Sequence, residues 1–199
     1  MLFRSHRQRG KYRTACNRRY SQKFITMIAS IFSVDQTGGV GNRGTLPWKH
    51  HPEDMAWFRE LTVGHVVIMG RKTWDDPKMP KPMPKRINYV VTNRPIGLRG
   101  VHTISGNWLQ RVPEIERLHT GKKIFIIGGP ELIEQVKPIT DFAYVTYRRG
   151  NYRCETRINM FDYVTKMRAI SSRPSTDKLL NFCVFRNIES DIPLHEGLS

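Results

Sequence analysis

The sequence is poor in cysteine, has no long apolar run, and carries no acid near its N-terminus. Three cysteines in 199 residues, Cys16, Cys154 and Cys183, lie far apart with no CxxC pair. That odd, scattered set excludes a disulfide framework and a zinc site, predicts no bound metal, and suits a reducing compartment. The longest apolar run near the N-terminus, Met27 to Phe32, falls far short of the roughly 20 residues that cross a bilayer. No secretory signal is expected, because the basic start leads into no apolar segment of normal length with a small-residue cleavage site. No internal repeat recurs and no linker divides the body, so a single domain is expected.

Charge of one sign is missing from residues 1–26, which hold eight Lys or Arg and no Asp or Glu. Half of the formal net charge of +16 therefore lies in that segment. So basic and apolar-poor a stretch is not expected to fold alone. A mitochondrial-type targeting segment, a nucleic-acid-binding arm and an extension without a role all fit it. The last is preferred, since Met27 makes a natural start to the first strand. Cytoplasmic placement is expected, with the mitochondrion as the alternative if the segment is a transit peptide. The body is only moderately basic, which suits anionic substrates and does not by itself imply nucleic acid.

What is present centres on Gly64 to Trp74. Val66 to Met69 is an apolar, β-branched run too short for a helix and reads as a buried strand. Gly70 breaks it, and Arg71, Lys72 and Thr73 follow where a helix would begin, a place suited to phosphate. A second unit, Lys123 to Pro130, again runs from strand to glycine to helix. Two such units predict a dinucleotide across the carboxyl ends of neighbouring strands.

In chain order, Ile25 to Val34 reads as a strand and Asp35 to Thr45 as a flexible, glycine-rich loop. Pro52 to Leu61 has helix-start chemistry, with Pro and two acids in its first turn. Asp54, Trp57, Phe58 and Leu61 share one face of that helix. A carboxylate among aromatics calls for a donor-rich ligand. Asp75 to Lys85 is a Pro-rich loop, Arg86 to Pro95 is a strand ending in a polar, basic turn, Gly100 to Ile104 is a short strand, and 107–119 is a helical stretch interrupted by Pro113. A strand over 123–127 and a helix over about 131–136 come next, then strands over 141–149, 158–165 and 180–188. Alternation up to residue 136 followed by strands predicts an α/β fold. One mainly parallel twisted sheet carries an antiparallel edge strand, with helices on both faces.

These residues resemble the dihydrofolate reductase family. Val40 to Trp48 resembles its mobile active-site loop, Asp54 to Phe58 its substrate helix, and Val67 to Trp74 its cofactor strand-turn-helix. Pro82 to Arg86 resembles the segment that binds the folate glutamate, Ile127-Gly128-Gly129 the glycine pair, and Tyr144-Val145-Thr146 the strand that supports the acid. The likeness runs in unbroken order from Met27 to about Ile188, giving a catalytic domain over 27–188, the basic extension over 1–26 and a tail over 189–199.

The resemblance implies hydride transfer from NADPH to C6 of dihydrofolate with protonation at N5. It implies catalytic roles for Asp54, Trp48 and Thr146, and substrate or antifolate contacts at Ile31, Asp54, Phe58, Met83, Arg86 and Ile127. Cofactor contacts are implied at Ser33, Val40, Gly41, Gly70, Arg71, Lys72, Thr73, Thr92, Asn93 and Arg94, and at Gly128, Gly129, Glu131 and Leu132. A monomer without membrane partners is implied, with nucleic acid reached only through residues 1–26. Asp75-Asp76-Pro77 departs from the family pattern at the wall around the substrate's benzoyl ring, and Pro130-Glu131 and Ile133 depart from it beside the cofactor, so weaker cofactor binding is expected. Two other readings stay open: a riboflavin-pathway reductase on the same fold, against which Asp54, Phe58 and Arg86 argue, and a binding protein with a vestigial pocket.

Overall fold

The computed structural model describes residues 26–42 and 45–198. The expectations for residues 1–25, and for Arg43 and Gly44 in the glycine-rich loop, lie outside them. Ten strands are described: β1 (Ile28–Asp35), β2 (Gly39–Gly41), β3 (Val66–Gly70), β4 (Ile87–Val91), β5 (Val101–Ile104), β6 (Ile124–Gly128), β7 (Phe142–Arg148), β8 (Thr156–Arg157), β9 (Met167–Pro174) and β10 (Leu180–Asn187). The helices are α1 (Pro52–Thr62), α2 (Arg71–Asp75), α3 (Val112–Leu118), α4 (Pro130–Val136) and α5 (Phe161–Lys166).

Eight strands form one sheet in the order β5-β4-β3-β6-β1-β7-β10-β9. Every pair from β5 to β7 is parallel, and the β9–β10 hairpin closes the sheet with two antiparallel pairs. Strand alternation sorts the apolar residues onto two faces. Ile28, Phe32, Val66, Ile68, Ile124 and Ile126 pack against Ile115, Ile133 and Val136 from α3 and α4. Ala29, Ile31, Val67, Met69 and Phe125 pack on the other side against Trp57 and Leu61 from α1. The central strands are thus covered on both faces, which is why they read as continuous apolar runs.

Two elements differ from the sequence reading. Residues 158–165 are not a strand: α5 occupies Phe161–Lys166. Asn159 accepts the Phe161 N–H through its side chain, and Asp162 and Lys166 pair one turn apart at 2.9 Å. This local chemistry outweighs the β preference of Phe161, Tyr163 and Val164. Pro113 does not interrupt a helix; it lies in the first turn of α3, where its missing N–H costs nothing. The edge strand β9 and the small β2–β8 pair were not distinguished from loop.

Asp35, at the end of β1, ties the loops beside the site. Its buried carboxylate accepts from the Thr37 N–H and hydroxyl, the Gly39 N–H and the Tyr152 N–H at 2.7–3.0 Å. Burial alone would push this carboxyl up, but those donors prevail and hold it at about 2. A Cβ on Gly39 would come within 2.8 Å of Asp35 Oδ2 and 2.6 Å of Cys154 Cβ, so only glycine fits there. Because the folded carboxyl lies below its ordinary value, its stabilisation is present above about pH 4 and is lost as pH falls toward 2. Asp35→Asn is expected to cost about 2 kcal/mol at pH 7 in denaturant unfolding. The gap between parent and variant should close as the pH is lowered through that window.

Candidate active site

The carboxyl ends of β1, β3, β4 and β6 open into one cleft of about 1540 Å³, walled on its far side by α1. Each of these strands stops where its apolar run stops. The residues that follow are glycine or polar, and they form the rim. Ligand clefts of α/β sheets are placed this way.

Asp54 enters the cleft from the first turn of α1, opposite β1 and β7. Thr146 Oγ1 donates to its Oδ1 at 2.7 Å, and the Ser33 hydroxyl reaches both carboxylate oxygens at 3.4 and 3.2 Å. Arg148 Nη2 donates to Oδ2 at 2.5 Å, forming an ion pair whose side chains are only 6% and 17% exposed. The Arg148 guanidinium also lies 4.9 Å over the Trp48 ring, which itself stands edge-on to Tyr152 at 5.3 Å. Helix α1 and strand β7 thus meet at one carboxylate.

Phe58 continues the α1 face one turn on. Arg86 lies over its ring at 5.5 Å, with Nε donating to Thr62 Oγ1 and Nη1 to the Pro84 carbonyl, both at 2.8 Å. Burial first, and then nearby Arg59, depress the Arg86 pKa from its ordinary value. The side chain is therefore a fixed donor on the cleft wall, poised for an anion that would offset its desolvation.

At the other end of the cleft, Gly70 and the Gly128–Gly129 pair approach each other. A Cβ on Gly70 would lie 3.5 Å from Gly129 N and from Leu132 Cδ1, and one on Gly128 would lie 3.2 Å from Thr73 Oγ1. Gly128 has φ +132°, a conformation other residues avoid. The backbones of the two strand ends are thus packed closely on Thr73 and Leu132 where they line the cleft. Arg71, at the start of α2, pairs with Asp75 at 2.7 Å. On the opposite rim Glu131 accepts weakly from Gln135 at 3.4 Å, while Gln135 Oε1 accepts from the Trp108 indole at 2.6 Å.

Nearly all the residues singled out from the sequence line this cleft. They are Ile31, Ser33, Val40, Gly41, Asp54, Phe58, Gly70, Arg71, Lys72, Thr73, Met83, Arg86, Thr92, Asn93, Ile127, Gly128, Gly129, Glu131, Leu132 and Thr146. Two stand elsewhere. Trp48 is buried behind the wall against Arg148 and Tyr152, and Arg94 projects from the exposed turn after β4. Ser33 lies at the cleft but spends its hydroxyl on Asp54. The residue that sequence reading missed is Arg148. Its signal was available, because two positions after Thr146 on one strand points to the same face.

The sequence model of the dihydrofolate reductase family matches residues 27–186. The dihydrofolate reductase of Bacillus subtilis is 32% identical over 152 residues, covering 75% of this chain and 85% of that one. That of Mycobacterium tuberculosis is 32% identical over 123 residues, covering 61% and 71%. A solved structure of the Enterococcus faecalis dihydrofolate reductase, complexed with NADP(H) and RAB-propyl, shares the fold at a TM-score of 0.68 and 24% identity. It covers 82% of this chain and 97% of its own. With a family match running from the first strand to the last, the chain belongs to the dihydrofolate reductase family.

Proposed function

We propose that the protein reduces 7,8-dihydrofolate to 5,6,7,8-tetrahydrofolate with NADPH, in support of one-carbon and thymidylate metabolism. The observation that carries the reading is the Asp54 carboxylate, held by Thr146 on the wall of the same cleft that ends at the Gly70 and Gly128–Gly129 backbone. The cofactor end of the cleft fits a dinucleotide by its donor set, with Gly70, Gly128 and Gly129 lining it beside Arg71, Lys72 and Thr73. When bound, NADPH supplies the hydride for C6 of the pterin.

The chain's own residues do the rest. Asp54 accepts from the pterin N3 and 2-amino group, a two-pronged pairing that fixes the ring while water delivers the proton to N5. Thr146 fixes the carboxylate rotamer. Ile31, Phe58, Met83 and Ile127 line the ring's apolar surroundings, and Arg86 meets the glutamate carboxylate. Arg71 and Lys72 on the opposite rim serve the cofactor phosphates. The described cysteines, Cys154 and Cys183, are both free, which supports the cytoplasm. No helix of the described residues is long and apolar enough to cross a membrane. The catalytic domain is assigned to residues 27–188.

Asp54→Asn replaces an acceptor oxygen with a donor aimed at another donor. Turnover, followed by NADPH absorbance with dihydrofolate present, is expected to fall by roughly 100-fold or more. Partial recovery is expected at low pH, where substrate arrives already protonated. Parent-like turnover at neutral pH would overturn the reading.

The cofactor side has its own test. The Arg71–Asp75 pair is half exposed, so it holds Arg71 with no more than ~0.5 kcal/mol, and a phosphate can displace it. Arg71→Ala is expected to raise the KM for NADPH much more than that for NADH, and Asp75→Ala to lower the KM for NADPH. Equal effects on both cofactors would assign these residues another purpose. Deleting residues 1–26 is expected to leave turnover within a few fold in the same assay, and a collapse would tie that segment to the catalytic domain.

A further inference from the structure

The acid that this reaction needs is already paired with a cation of its own chain. Arg148 Nη2 lies 2.5 Å from Asp54 Oδ2, with both side chains largely shielded from water. Such a pair interacts more strongly than a surface one, and the two formal charges cancel. The guanidinium is not a free arm. It is sandwiched between the carboxylate and the Trp48 ring, and Trp48 is buried edge-on to Tyr152.

Direction matters as much as distance. Asp54, Thr146 and Ser33 line the cleft, whereas Arg148 and Trp48 do not. The cation therefore backs the carboxylate from behind, and a ligand meets the carboxylate from the front. A carboxylate offers about four acceptor sites, and Thr146, Arg148 and Ser33 use three of them. The edge of a pterin brings two donors. Ser33, spread over both oxygens at 3.4 and 3.2 Å, is the loosest partner and is the one that yields. A neutral edge is thus accommodated with the ion pair intact.

A cationic edge meets a different balance. A lone buried carboxylate would attract it strongly, but here that attraction is offset by a fixed positive charge directly behind. No other ion pair to Asp54 or Arg148 occurs among the described residues; Ser33, Thr146, Trp48 and Tyr152 are uncharged, and Asp35, the partner of Arg148 in the β1–β7 ladder, spends its carboxylate on Thr37, Gly39 and the Tyr152 N–H. We infer that Arg148 is a specificity-determining residue. It neutralises Asp54 from behind the cleft, so the site accepts folate-like ligands with a neutral pyrimidine edge and discriminates against those that bind as cations. The inference rests on the dihydrofolate reductase reading and deepens it.

The probes are a 2,4-diaminopyrimidine, whose ring takes up a proton beside a carboxylate, and its 2-amino-4-oxo analogue, which stays neutral. Inhibition constants for both, and KM for dihydrofolate, are measured on the full chain with NADPH. In the parent protein the two probes are expected to bind within ~10-fold of each other, because the carboxylate's pull on the cation is cancelled. Arg148→Met is expected to tighten the diaminopyrimidine by at least ~10-fold relative to both the oxo analogue and dihydrofolate. Arg148→Lys should keep the parent's ratio, since it keeps the charge. A ratio unchanged in Arg148→Met, or a lysine variant that behaves like methionine, would overturn the inference. Should Arg148→Met not fold, the parent decides by itself: a preference for the diaminopyrimidine above ~100-fold refutes charge cancellation. Absence of dihydrofolate-dependent NADPH oxidation in the parent would instead strike the reading of the activity, so the two failures are distinguishable.

Discussion

One carboxylate joins parts of the chain that are far apart in sequence. Asp54 accepts from Thr146 and Arg148, respectively 92 and 94 residues away, and from Ser33, 21 residues away. Through it the first turn of α1 is fixed against the ends of β1 and β7. The substrate side of the cleft depends on this junction, because Phe58 and the Arg86 stacked on it follow the register of α1. The parallel sheet supplies the frame, with Ser33 opposite Thr146 in the β1–β7 ladder. Two hydroxyls are thereby delivered side by side to the place where the helix presents its acid.

The glycine side of the cleft obeys another constraint, that of space. Gly70, Gly128 and Gly129 end two neighbouring strands, and their bare backbone lies against Thr73 and Leu132. A carboxylate junction at one end and a side-chain-free backbone surface at the other make the cleft directional. A ligand with donors at one edge and a flat partner behind it has a single way to lie.

Much of this was legible because the strong signals are local. The strands β3 and β6 are apolar runs stopped by glycine, and α1 begins with Pro and two acids, so elements and site motifs declared themselves together. What stayed hidden is tertiary or competes with propensity. Residues 158–165 carry aromatic and β-branched side chains that favour a strand, yet the Asn159 side chain accepting the Phe161 N–H and the Asp162–Lys166 pair turn part of them into α5. Arg148 looked like the polar end of a strand. Only the fold shows that its neighbour across space is Asp54. Arg71 likewise read as a free cation until α2 brought Asp75 beside it. Trp48 was assigned from the loop to the cleft, and its indole turned inward onto Arg148 instead.

The hairpin that ends the sheet also bears on how copies of this chain behave toward one another. β9 is one of the sheet's two edge strands, with β5 at the other end, and an open edge is a template on which a second sheet could grow. Here the strand carries Arg168 and Arg173, ends in Pro174, and is interrupted where Ile170 has no counterpart between Val184 and Phe185. The Arg173 guanidinium lies over the Phe182 ring, 4.5 Å from its centroid, and covers it at this edge. Any copy docking strand to strand would bring arginines against arginines and meet a bulge out of register. The margin of the sheet thus works as a guard against self-polymerisation in a chain whose interior strands are almost wholly apolar.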